Sequence, residues 1–157
     1  MKPNIGIADK NLKKVTELLS SALSTENVLY LKTRKFHWNV NGPSFMEFNK
    51  LFQEQYEKLD AAIDEIAERI NKLGTPAIGT MEEFLQSSKI KEKPGSYPGS
   101  GDMIKELLSD HETCIIKLRK DIEECQEKYK DAGTADFLTG LMEEHETLSW
   151  QLRRYLK

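Results

Sequence analysis

From Leu12 onward, apolar side chains recur every three or four residues: Leu12, Val15, Leu19, Ala22 and Leu23, then on towards Tyr30 and Leu31. That period places them on one face of an α-helix. Neither proline nor glycine falls between Ile7 and Val40, so one long helix is predicted to about Trp38, with Asp9 as its N-cap. Asn41-Gly42-Pro43 breaks it. Ser44 and Glu47 have the spacing of a capping box and open a second helix. Its stripe runs Phe45, Phe48, Phe52, Tyr56, Leu59, Ile63, Ile66, Ile70 and stops at Gly74, with Pro76 beyond.

Residues 74–101 carry Pro76, Pro94 and Pro98 among glycines and read as a linker. Inside it, Thr80 and Glu83 would cap a short helix, TMEEFLQSS. The linker is too long for a tight antiparallel turn and predicts a crossover between parallel neighbours. Asp102 would cap a third long helix, with Ile104, Leu107, His111, Ile115 and Leu118 on its apolar face and an end near Gly133. Thr134 would cap a fourth, with Leu138, Leu141, Met142, Leu148 and Leu152 inward. The expected fold is all-α: a ferritin-like four-helix bundle with a short extra helix in the long crossover between helices 2 and 3. A single domain over residues 1–157 is expected, with residues 1–8 as a short flexible N-terminal tail.

Composition adds boundaries to this picture. With 157 residues, 38% hydrophobic and 31% charged, the chain can build one core and keep wet outer faces. No run approaches the ~20 apolar residues of a membrane span. The N-terminus MKPNIGIADK lacks the apolar segment of a secretory signal, so a cytoplasmic location and no membrane partner are expected. Cys114 and Cys125 stand 11 residues apart in one predicted helix. That is about 16 Å along the axis, too far for a disulfide, so they read as small buried thiols in a reducing compartment. A net charge of −3 argues against a constitutively basic nucleic-acid surface.

The candidate chemistry lies beside the second stripe. A polar line there runs Asn49, Gln53, Asp60, Asp64, Glu68. Asp64 and Glu68 share a helical face at i,i+4, close enough for two carboxylates to hold one metal ion. His37 ends the first helix and, after the turn, should lie near Asn49. Glu68 is 19 residues beyond Asn49, roughly 28 Å at 1.5 Å per residue. A site shared by His37, Asp64 and Glu68 therefore needs a second copy of the chain, turned end for end. Ferritin-like di-iron enzymes place Glu-x-x-His motifs inside the bundle. Here Arg34, Leu108 and Met142 stand three residues before the histidines, so a centre of that kind inside the bundle is not expected.

The segments HWNVNGPSF, DEIAERI, and the last helix from TADFL to SWQLRRYL resemble the Dps mini-ferritins, DNA-protection proteins of starved cells. The resemblance covers nearly the whole chain. It implies a homo-dodecameric cage that oxidises Fe(II), preferentially with hydrogen peroxide, and stores Fe(III), protecting the cell from oxidative stress. It also implies ferroxidase centres at two-fold interfaces, with His37 from one subunit and Asp64 and Glu68 from its partner as iron ligands. The family has a histidine where this chain has Asn49 and an acid where it has Gln53. Neutral amides are poorer ligands for Fe(II), so the resemblance implies a weakened second iron site and reduced activity. Trp38, beside the site, reads as interface packing, and the family suggests a radical-trapping role. His111 and His145 read as core-edge or surface residues. Asp136 resembles the acid lining the family's three-fold iron pore, and equally reads as a charge at a helix N-terminus. The alternative is a non-catalytic or DNA-binding protective cage. Only Lys2 and Lys10 precede the first helix's full establishment, with Lys13 and Lys14 following, so DNA affinity is expected to be weak.

Overall fold

A computed structural model of the chain describes residues 3–156. Met1 and Lys2, the start of the expected tail, lie outside the described residues, as does Lys157. The elements are α1 (Asp9–Asn39), α2 (Phe45–Lys72), α3 (Met81–Ser87), α4 (Ser100–Glu123), a π-helical turn (Glu124–Lys128) and α5 (Ala132–Arg153). The described residues contain no strand. α1 packs on α2, and α4 on α5; α3 lies across α1. The linker, expected to join parallel neighbours, instead runs across a diagonal: α4 packs chiefly on α5 and then α1, not on α2.

The core divides along the bundle axis. One apolar cluster gathers around Leu19, Ile66, Ile70 and Leu138. The other gathers around Phe52, Leu59, Leu107 and Leu148. On α1 the seam falls between Leu23 of the first and Val28 of the second; on α5 it falls between Met142 and Leu148. Three of the polar side chains that α1 buries at and near this seam cost little there, because they bond back to their own helix. The Ser24, Thr25 and Thr33 hydroxyls each donate to the carbonyl four residues earlier at 2.8 Å.

The ends of the helices differ from the sequence expectation in four places. α1 begins at Asp9 itself, after an extended Ala8. Ser44 forms no capping box: it is left-handed at φ 61°, after Gly42 at φ 87°. The tight reversal forces that geometry, and Glu47 instead accepts from Tyr155 Oη at 2.8 Å, tying the start of α2 to the C-terminal turn. Gly99 precedes α4, while Asp102 pairs with Lys105 at 2.9 Å. Asp131, not Thr134, caps α5: it accepts the Thr134 N–H at 2.9 Å and the Thr134 hydroxyl at 2.6 Å. The Thr80–Glu83 box on α3 forms as the spacing predicts. Both cysteines are free and buried.

Candidate metal centre

The turn at Gly42 brings the end of α1 against the start of α2. His37 Nδ1–H donates to the Asn49 carbonyl oxygen at 2.8 Å, and Asn49 Nδ2 donates back to the His37 carbonyl at 3.0 Å. A carbonyl oxygen only accepts, so the proton sits on Nδ1 and Nε2 of the neutral ring carries a free lone pair. A backbone carbonyl on the far nitrogen is the usual way a metal-ligating histidine is oriented. His37 is half-buried, with the Tyr56 ring edge-on at 5.4 Å.

Asp64 and Glu68 lie exposed near the far end of α2. Asp64 makes no hydrogen bond or ion pair among the described residues, and Glu68 reaches only Lys72, at 3.3 Å. Both carboxylates are therefore solvated and available. The same helix carries Asn49 at its start, so one chain does not bring His37 to the acids. Gln53 is exposed and donates to Glu57 at 2.9 Å, while the Asn49 amide is engaged with α1.

Sequence reasoning overlooked the ring of side chains behind His37. The Arg34 guanidinium lies over Tyr30, Trp38 and Tyr56 at 5.5, 5.1 and 5.2 Å. Tyr30, Arg34 and Trp38 follow one another at four-residue steps on α1, a spacing that was readable as one face. Trp38 is 59% exposed, Phe45 41% and Met46 74%. That is a concentration of uncovered apolar surface on either side of the turn that positions His37.

Asp136 is exposed and lines a surface hollow of about 500 Å³ with Glu65, Glu144 and Lys58, which pairs with Glu144 at 2.6 Å. It stands beyond the first turn of α5, which contains no acid. The helix-terminus reading weakens accordingly, since that field fades within one turn.

His111 and His145 are neither surface nor core-edge residues. They are 0% and 1% exposed, at the seam between the two apolar clusters. His145 Nε2 lies 2.6 Å from Glu26 Oε1, and the Nδ1 atoms of His145 and His111 lie 2.8 Å apart. Burial, and then the neighbouring His145, hold His111 well below the ordinary imidazole range. These polar residues complete an inner network that periodicity alone counts as part of an apolar face.

The ferritin-like domain family matches residues 16–157. An uncharacterised low temperature-induced protein of Nostoc sp. is 45% identical over 154 residues, covering 98% of this chain and 86% of that protein. DNA protection during starvation protein 2 of Bacillus anthracis is 36% identical over 144 residues, covering 92% of this chain and 97% of that one. The crystal structure of a Vibrio cholerae Dps protein, described as a member of a broad superfamily of ferritin-like diiron-carboxylate proteins, superposes with a TM-score of 0.92. It is 29% identical and the match covers 99% of this chain and 97% of that one.

Proposed function

Because the chain belongs to the Dps branch of the ferritin-like family, we propose that it is an iron-oxidising, iron-storing cage whose ferroxidase centres form between subunits. The observation that carries this reading is the half-buried His37 ring, held at Nδ1 by the Asn49 carbonyl so that the lone pair is left on Nε2. The second subunit would bring Asp64 and Glu68 to it and would cover the exposed Trp38, Phe45 and Met46. Iron is the substrate. Imidazole and two carboxylates suit Fe(II) and stabilise the higher charge of Fe(III). Each Fe(II) gives up one electron and hydrogen peroxide takes two, so two irons and two protons per peroxide yield two Fe(III) and two waters. Peroxide as the preferred oxidant, and a dodecamer as the assembly, belong to this proposal.

Asn49 and Gln53 shape its rate. The Asn49 amide bonds to α1 and supports the His37 turn. Neither it nor Gln53 offers a charged oxygen to a second ion. We infer one firmly held iron per site and a second held mainly through Glu68 and water, with slow but measurable oxidation. The test pairs light scattering with stopped-flow oxidation of Fe(II) by peroxide. A large closed assembly that consumes about two Fe(II) per peroxide, and loses this activity in His37→Ala, is expected. A monomer at micromolar concentration, or oxidation no faster than in buffer, would overturn the proposal.

A further inference from the structure

The network at the seam of the core has the makings of a second site. Glu26 of α1, Cys114 of α4 and His145 of α5 bring one carboxylate oxygen, the thiol sulfur and one imidazole nitrogen within 4.8 Å of one another, all buried. Two polar atoms here have no hydrogen-bond partner among the described residues: Glu26 Oε2 and His111 Nε2. Glu26 is only 2% exposed. An unsatisfied carboxylate oxygen at such depth costs roughly 1–3 kcal/mol or more, and natural cores seldom keep one without a use. A void of about 10 Å³, the size of one water, touches Glu26 and Cys114 on the side away from His145 and runs between α1 and α4 to Lys117 and Asp121.

We propose that Glu26, Cys114 and His145 form a metal site within each subunit's own bundle, built for one borderline-soft divalent transition ion such as zinc(II). Thiolate, imidazole and carboxylate together are the donor set such ions prefer. Ordinary bond lengths of ~2.0–2.3 Å set donor separations of ~3.3–3.8 Å, so His145 Nε2 and Glu26 Oε1, 2.6 Å apart without the ion, would open to admit it, and no donor pair, all lying within 4.8 Å, has far to close.

Charge balance also supports the site. Thiolate and carboxylate contribute two negative charges and imidazole none, so a divalent ion leaves the buried cluster neutral. Burial, followed by the nearby Glu26 and Asp110, pushes the Cys114 thiol well above its ordinary range, so the free cluster keeps its sulfur protonated. On binding, that proton leaves and a metal–sulfur bond forms; no oxidant or reductant takes part. Without metal, His145 Nε2–H donates to Glu26 and His145 Nδ1 accepts from His111 Nδ1–H. With metal on Nε2, the His145 proton sits on Nδ1 and is donated to His111 Nδ1, whose own proton moves to its Nε2, and His111 becomes the residue that orients the ligand.

This site contains sulfur and the interface centre does not, so cobalt(II) separates them. Metal-stripped full-length protein is titrated with cobalt(II) and read by absorption. The expected result is one ion per chain with thiolate-to-cobalt charge-transfer absorption, bleached by zinc(II). The absorption should be lost in Cys114→Ser and kept in Cys125→Ser and His37→Ala. His111→Asn should weaken this binding about 10- to 100-fold. The wild-type spectrum needs no variant to fold. Saturating cobalt without thiolate absorption, or absorption that survives Cys114→Ser, would overturn the site.

Discussion

The end of α1 and its middle carry the same kinds of ligand in opposite settings. At the end, His37 is oriented by one backbone carbonyl while its acids stand solvated, far along α2. In the middle, Glu26 meets His145 at 2.6 Å with both groups buried, and His111 and Cys114 are packed beside them. The first arrangement is half a site that a second copy would complete. The second is closed within one chain. A solvated acid contributes almost nothing to folding and is free to serve chemistry. A buried acid is part of the fold, and removing it strands the buried N–H that donates to it.

The largest effect should come from breaking the buried side of this contrast. Glu26→Ala leaves the buried His145 N–H without its acceptor and is expected to destabilise the protein by about 1–3 kcal/mol. Glu68→Ala should stay within about 0.5 kcal/mol. Denaturant midpoints of the two variants check both, and similar midpoints would erase the distinction.

Function should respond in reverse. Glu68→Gln is expected to abolish the fast phase of peroxide-driven iron oxidation, a loss of at least about tenfold, or 1.4 kcal/mol in barrier. The midpoint should not move. Stopped-flow traces with an unchanged fast phase would remove Glu68 from the centre.

Asn49 sharpens the comparison because it serves structure at a functional position. Asn49→Ala removes its bond to the His37 carbonyl and should cost about 1 kcal/mol. Asn49→His combined with Gln53→Asp supplies ligands in place of amides and should tighten the second iron and raise the rate. Calorimetry showing two equally tight irons in the unmodified protein would contradict the reading of those positions. The smallest effect is expected for Asp136→Asn. Iron uptake should slow by about two- to threefold at low salt and be unchanged at high salt, since a focusing field is screened.

The long helices, the break at Gly42-Pro43 and the α3 capping box were legible because each rests on local spacing. The caps at Ser44, Asp102 and Thr134 were not. At Ser44 the reversal imposes a left-handed backbone. At α5 the cap is Asp131, which Arg69 also contacts at 3.3 Å from the distant end of α2. Glu26 was hidden for a related reason. It sits in SSALSTEN, a polar run that reads as a wet face, and only the packing of α4 and α5 buries it. His37 could be placed beside Asn49 because the turn between them is short. His111 lay on a stripe of leucines and isoleucines, where nothing local announces that it meets a second histidine from another helix.

The claim that most needs testing is that His37 and the acid pair act across two subunits. Two inactive variants, His37→Ala and the double variant Asp64→Ala/Glu68→Ala, are unfolded, mixed in equal amounts and reassembled. In a two-fold dimer of one chain of each kind, one of the two sites receives its histidine and both acids intact. Random pairing therefore restores about a quarter of the sites. Iron oxidation at about that fraction of the unmodified protein's rate is expected. A mixed assembly of the right size that stays as inactive as its parents would contradict it.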